Sequence, residues 1–276
     1  MKQTIFGVCT FLWTTVICVG SLSCDSKKPL TTPDSESSKK VKEVQVAAAS
    51  DLKFAMEDIR QRFQKDHPDI QVSVTYGSSG QFYSQLQNQA PYDLLFSADI
   101  EYPRRLIESG QALPETLFEY AIGQIVVWVR KDSPQSKYSN GKEVLVDPQV
   151  TRIAIANPKH APYGRAAEAA LKTMGVYEQV KDRLVYGENI AQTGVFVESG
   201  NAQAGILALS LALAPQMREK GRFWEIPAES YPPIHQGGVI LKWVRHRDAV
   251  ETFRQFVISP QGREILEEYG FVMPYK

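Results

Sequence analysis

Apolar and polar positions along this chain alternate between short blocks and longer periodic runs, and that alternation predicts an architecture. Val44-Gln45-Val46-Ala47-Ala48-Ala49 is a short apolar block stopped by Ser50-Asp51, the pattern of a buried strand. Leu52, Phe54, Ala55, Ile59 and Phe63 then recur at helical spacing. Residues 70–76 alternate strictly, which predicts a second strand, and a second helix follows over 81–89. Tyr92-Asp93-Leu94-Leu95-Phe96-Ser97 reads as a third strand, broken by Ala98-Asp99. Strands alternating with helices predict an α/β layer structure with parallel strands.

The scheme continues through the middle of the chain. Residues 122–130 form a strongly β-prone run, and residues 152–157 form an apolar strand stopped by Pro158. Tyr163-Gly164 opens a helix over 165–174, and Val185 to Asn189 leads into another over 190–199. A strand over 205–208 and a helix over 209–218 complete what reads as a second lobe. Pro232-Pro233 restricts the backbone as a crossing segment would. A late strand over 237–243 and closing helices over 249–257 and 260–269 could complete the first lobe. The boundaries that follow are residues 43–123 and 234–276 for lobe 1, and 124–233 for lobe 2.

The N-terminal stretch has a different character. Lys2 followed by an almost uncharged apolar run over 5–20 reads as a secretion signal, too short for a membrane span. All three cysteines, Cys9, Cys18 and Cys24, lie in or directly after it, so the body can hold neither a disulfide nor a thiolate nucleophile. Ser21-Leu22-Ser23-Cys24 resembles a bacterial lipoprotein processing box, with Ser21 where that pattern prefers leucine. Lipidation at Cys24 would end a leader over 1–24, and ordinary cleavage leaving a free cysteine is the alternative. Residues 25–42 are rich in Ser, Lys, Thr and Pro and predict a flexible linker. Such a tether spans about 20–25 Å root-mean-square, enough to hold a globular body off a membrane.

Composition narrows the chemistry. With 31 basic and 31 acidic residues the formal charge is zero, which argues against a nucleic-acid surface. His67, His160, His235 and His246 are scattered without metal-ligand spacing. No Ser-His-Asp arrangement or phosphate-loop motif supports an enzyme, and no cofactor is expected. Asp93 and Asp99 flank a strand end and a helix start, where capping outweighs a catalytic carboxylate pair. Tyr76-Gly77-Ser78-Ser79-Gly80-Gln81 carries the opposite signal. It is a strand-to-helix turn offering backbone N–H groups, hydroxyls and the positive end of a helix dipole, which together could cradle an anion. A capped helix without a ligand is the plainer alternative. Ser50, Ser78 and Ser79 all fall at the carboxyl ends of predicted strands, where open α/β sheets bind ligands.

Read jointly, several segments resemble the periplasmic molybdate-binding proteins of ABC transporters. They are Ala47-Ala48-Ala49-Ser50, Gly77-Ser78-Ser79-Gly80, Asp93 to Asp99, Asn157 to Gly164, Gly187-Glu188-Asn189-Ile190, Val197 to Gly205, Ser259 to Gly262 and Tyr269-Gly270-Phe271. The resemblance covers essentially the whole body from Val44. It implies a two-lobed type II periplasmic-binding-protein fold, each lobe a mostly parallel sheet flanked by helices. It also implies a tetrahedral oxyanion, molybdate or tungstate, held between the lobes by uncharged donors and delivered to an ABC permease by a periplasmic monomer. By position, the resemblance assigns ligand roles to Ser50, Ser79, Tyr163 and the backbone amide of Ile190, with Ser78 beside them and Asp51 where some members place an amide or side-chain donor. Some members use a tyrosine where this chain has Ala208, so Tyr163 is expected to supply that contact. A lining made only of donors would disfavour protonated oxyanions, which have an O–H and need an acceptor. Alternatives are another oxyanion such as sulfate or phosphate, or an enzyme on the same scaffold.

Overall fold

The computed structural model describes residues 41–274. The leader over 1–24, its Cys24 and the linker up to residue 40 lie outside the described residues. Within them, strand β1 (Lys42–Ala49) is followed by a 3-10 turn at Ser50–Leu52 and helix α1 (Lys53–Asp66). The strand therefore starts one residue inside the stretch read as linker. Strand β2 (Ile70–Gly77), α2 (Ser79–Gln87), β3 (Leu94–Ser97), α3 (Glu101–Glu108) and β4 (Phe118–Gly123) complete the first passage. The second runs β5 (Ile125–Arg130), α4 (Gly141–Val146), β6 (Ile153–Ala156), α5 (Pro162–Thr173), α6 (Tyr177–Val180), β7 (Leu184–Gly187), α7 (Ile190–Glu198), β8 (Ala204–Ala208), α8 (Leu209–Leu213), α9 (Pro215–Lys220) and β9 (Gly221–Glu225). The chain then returns through β10 (Ile234–Ile240), α10 (Arg247–Ile258) and α11 (Pro260–Glu268).

Two five-stranded sheets result, in the orders β2-β1-β3-β10-β4 and β7-β6-β8-β5-β9. Each has a parallel core, β2-β1-β3 in one and β7-β6-β8 in the other. Both sheets are nonetheless mixed. Strand β10 runs antiparallel to β3 and β4, and β5 runs antiparallel to β8 and β9. Periodicity reports which face of a strand is buried but is blind to strand direction, so the parallel expectation holds only for the first three neighbours of each sheet. The central strands are apolar because helices cover both faces. Val44, Val46, Ala47, Ala48, Leu94, Leu95 and Phe96 are fully buried in the first sheet, as are Ile153, Ala154, Ile155 and Ala156 in the second.

Three local differences from the sequence reading have clear causes. The β-prone run over 122–130 is two strands, β4 and β5, which separate at Gln124 into different sheets. Gly123 permits the break, because a Cβ there would lie 2.2 Å from the Tyr163 hydroxyl and 2.7 Å from the Gln236 amide nitrogen. The helix over 209–218 is interrupted at Ala214, whose ψ of 134° is extended. Pro215 imposes this, since a residue before proline is pushed out of the helical region. Strand β9 escaped the sequence reading because Phe223 and Trp224 are only partly buried at the edge of the sheet.

The chain thus crosses between the sheets twice, at Gln124 and over residues 226–233. The crossings are tied together, since Ile226 N–H donates to Ile125 O at 3.1 Å and Ile125 N–H donates to the Tyr231 hydroxyl at 3.3 Å.

Candidate functional site

The cleft between the sheets is built from the starts of helices. Strand β1 delivers Ser50 and Asp51, β2 delivers Ser78 and Ser79, β6 leads to Ala161, Pro162 and Tyr163, and β7 leads to Ile190. All of these residues, with Ala49, Gly77 and Ala98, line one small pocket of about 10 Å3. That is close to the least space that admits one water, about 10–15 Å3. So Ser50, Asp51, Ser78, Ser79, Tyr163 and Ile190 come together, four from one lobe and two from the other. Ala208 is fully buried where β8 passes into α8 and does not line the pocket. Among the described residues, no group of three or more His, Cys, Asp and Glu side chains is placed to hold a metal ion.

Local capping explains which donors face the pocket. Ser78 caps α2 by accepting from Gln81 N–H at 3.4 Å. Asn189 caps α7 by accepting from Gln192 N–H at 3.0 Å, and its carbonyl takes Thr193 N–H at 3.1 Å. Ala191 N–H goes to Ser50 Oγ at 3.3 Å. Thr193 N–H opens the regular helical ladder, and of the amides before it that have no intrahelical acceptor, Ala191 and Gln192 are claimed by side chains while Ile190 N–H, which lines the pocket, has no acceptor among the described residues. Helix α5 starts with Pro162, which has no N–H to satisfy. Ser79 Oγ accepts from Ala98 N–H at 2.9 Å, so its own proton is free to be donated into the pocket. Ser50 Oγ donates to Asn189 Oδ1 at 3.2 Å across the cleft.

Ser78 has a different position in the geometry. Its hydroxyl is 2.8 Å from His160 Nδ1 on the opposite lobe, and Gly80 N–H donates to His160 O at 3.0 Å. Its side chain is thus engaged in closure as well as lining the pocket. Further out, Gln81 Nε2 donates to Glu188 at 2.8 Å, and Arg165 pairs with Asp99 at 2.5 Å. Asp99 also accepts from Glu101 N–H at 3.0 Å, one residue outside the N-cap Ile100 of α3, which has no side-chain cap bond. Asp93 instead accepts from the main chain of Gln45 at 2.8 Å and Arg245 at 3.3 Å, stitching β1 to the chain after β10. Arg165 does not line the small pocket. It lies on a larger opening of about 360 Å3 beside it, with Asp99, Pro162, Pro233 and His235.

At the base of the pocket a buried network joins the lobes. Tyr163 Oη donates to Asp51 Oδ2 at 2.9 Å, and Gln236 Nε2 donates to the same oxygen at 2.8 Å. The second Gln236 Nε2 hydrogen goes to Tyr163 Oη at 2.9 Å, while Tyr120 Oη donates to Gln236 Oε1 at 2.7 Å. Ser210 Oγ donates to the Asp51 carbonyl at 2.8 Å. Burial pushes the Asp51 carboxyl up to about 6 against the pull of the Gln236 and Tyr163 hydrogen bonds. Burial also holds both tyrosine hydroxyls well above their ordinary value, with the Asp51 charge adding to it. Tyr163 therefore spends its one proton on Asp51, and the lining includes a carboxyl group rather than donors alone. Sequence reasoning missed Tyr120, Gln236, Asn189 and His160 as parts of this site. Gln236 carried a usable signal, since a glutamine inside an apolar strand followed by two glycines is a buried polar group that must find partners.

The geometry matches known proteins. Residues 44–272 match the family model described as bacterial extracellular solute-binding protein. The chain is 37% identical to the Azotobacter vinelandii molybdate-binding protein ModA over 83% of its length and 89% of that protein. It is 36% identical to the Rhodobacter capsulatus molybdate-binding protein ModA, over 73% of this chain and 77% of that one. The solved structure of the Azotobacter vinelandii periplasmic molybdate-binding protein superposes with a TM-score of 0.78 at 32% identity, covering 84% of this chain and all of that one. The two lobes are those of the type II periplasmic-binding-protein fold, and the chain belongs to the bacterial extracellular solute-binding protein family.

Proposed function

We propose that this protein captures molybdate outside the cytoplasmic membrane and hands it to an ABC permease, with tungstate as a second ligand. The observation that carries this reading is a small pocket lined by helix starts from both lobes and by no Lys or Arg side chain. Relatives that share the fold and more than a third of the residues are named for molybdate. The Ser79 hydroxyl and the Ile190 amide are the direct donors, and Ser50 joins them when its proton turns from Asn189 Oδ1 to the anion. Helix N-termini add their dipoles. Each charge-assisted hydrogen bond in such a dry site contributes about 1.5–3 kcal/mol, so a handful compensates for the loss of hydration without a cation. The small pocket requires the lobes to part for entry, with rotation at Gln124 and at residues 226–233. Both lobes donate to one anion, so binding favours the closed arrangement. The working unit is a monomer, tethered to the membrane by lipid at Cys24.

A thermal-shift panel of the full chain with molybdate, tungstate, sulfate, phosphate and ferric ion tests the assignment. Molybdate and tungstate raise the melting temperature in a concentration-dependent way, as ligands of the native state must. A larger shift with sulfate or phosphate, or none with any oxyanion, overturns it.

A further inference from the structure

The base network contains a proton-accounting constraint. Asp51 is 1% exposed, and its Oδ2 already receives two hydrogens, from Tyr163 Oη and Gln236 Nε2. Its Oδ1 is buried and makes no hydrogen bond of good geometry among the described residues, and the main-chain N–H groups of Asp51 and Leu52, which approach the carboxyl group, offset only part of the upward push of burial. A buried carboxyl oxygen without a partner is costly, and Asp51 lines the same pocket as Ser50 and Ser79. Tyr120 Oη has two acceptors, Gln236 Oε1 at 2.7 Å and Ser97 O at 3.2 Å, and donation to the nearer one turns both Gln236 hydrogens toward Asp51 and Tyr163. Any proton on Asp51 therefore belongs on Oδ1.

We propose that Asp51 meets the bound oxyanion as a neutral carboxylic acid, with the Oδ1 proton donated to an anion oxygen, so that capture takes up one proton from solvent. The inference rests on the oxyanion reading above. An ionised Asp51 beside a dianion, in a pocket without a cation, would place like charges together in a dry site. Protonation removes that repulsion and converts the one unsatisfied acceptor of the lining into a donor. The balance is simple: one proton leaves the buffer and one O–H bond forms at Oδ1.

The surroundings support a proton on this group. The side chains facing Asp51 are Tyr163 from α5, Gln236 from β10 and Ser210 from α8, with Tyr120 from β4 behind Gln236. Both tyrosines are held neutral, and the amide end of α7 brings no charged side chain into the lining. Burial already lifts the Asp51 carboxyl to about 6, and a neighbouring dianion lifts it further. His160, across the pocket on Ser78 and 3.5 Å from Glu188, and the Arg165–Asp99 pair on the adjoining opening are the other charged or titratable groups around the cleft.

Isothermal titration of molybdate into the full chain between pH 5.5 and 8.5, in buffers of differing ionisation enthalpy, decides the matter. The expected result is uptake of about one proton at pH 7.5 and an affinity that weakens by about tenfold per pH unit above pH 6, levelling off below it. Asp51→Asn places an N–H where Oδ1 stood, so it binds without proton uptake and with a flat pH profile. His160→Gln keeps the wild-type slope. Tight wild-type binding with no proton uptake, or a slope retained in Asp51→Asn, overturns the proposal while leaving the molybdate reading intact. Preferential binding of phosphate, whose O–H would need Asp51 as an ionised acceptor, also overturns it. Failure to bind any oxyanion at any pH removes the reading beneath it as well.

Discussion

The base and the rim of the cleft join the same two lobes by opposite means. At the base, Asp51, Tyr163, Gln236 and Tyr120 are all buried and share a closed inventory of hydrogens. At the rim, Arg165 pairs with Asp99 and His160 faces Glu188, with Arg165 and Glu188 exposed and Asp99 and His160 half-buried. The contrast teaches where charge is tolerated. A dianion needs donors in a dry pocket, and a nearby arginine there would bind it indiscriminately. The rim can afford ion pairs because water screens them and their loss exposes nothing buried.

Substitutions at the two ends should therefore differ in size and in pH response. The largest effect belongs to Asp51. Its folded-state value is raised above the unfolded one, so its contribution is fully present below pH ~4 and is lost as pH rises through about 6. A shift of that size corresponds to roughly 3 kcal/mol by pH 8. Denaturant unfolding without ligand should find Asp51→Asn more stable than wild type by about 2–3 kcal/mol at pH 8 and equal to it near pH 4. Carboxylates held below their ordinary value, such as Glu57 and Glu251, pull the other way in both proteins, so the difference between the two curves is the readout. Equal stabilities at pH 8 would remove the distinction between base and rim.

Next in size is Ser79→Ala, which deletes a free hydroxyl proton in the pocket. It should weaken molybdate binding by about 1–3 kcal/mol, measured by calorimetry, and also lower the melting temperature of the free protein, because Ala98 N–H loses its buried acceptor. The smallest effect is at the rim. Arg165 is 42% exposed, and Arg165→Ala should cost no more than about 1 kcal/mol in affinity, a difference that vanishes at high salt. A larger loss that persists in salt would mean that the rim, too, carries the ligand.

Much of this arrangement was legible in the sequence for a physical reason. Strand-to-helix turns advertise themselves through small residues, and Ser50, Ser78 and Ser79 stand at such turns, as do Tyr163 and Ile190. Hydrophobic periodicity located β1, β2, β3, β6 and α1 because it reports burial on one face. It could not report what depends on distant partners. The antiparallel entry of β10, the break at Gln124 and the interruption at Ala214 depend on tertiary contacts or on a single proline. Gln236 and Tyr120 are separated from Asp51 by most of the first lobe or more, and no local spacing could bring them together.

The twin crossings at Gln124 and residues 226–233 have one more implication. They run side by side, stitched through Ile125, Ile226 and Tyr231, next to Gly123 where the Tyr163 hydroxyl makes its close approach. A rigid rotation displaces each atom in proportion to its distance from the pivot. A few degrees of swing would therefore disturb the Ser78–His160 link more than the Tyr163–Asp51 link near the axle, while the Arg165–Asp99 pair, which shares its opening with Pro232 and Pro233 of the second crossing, sits close to the turning point.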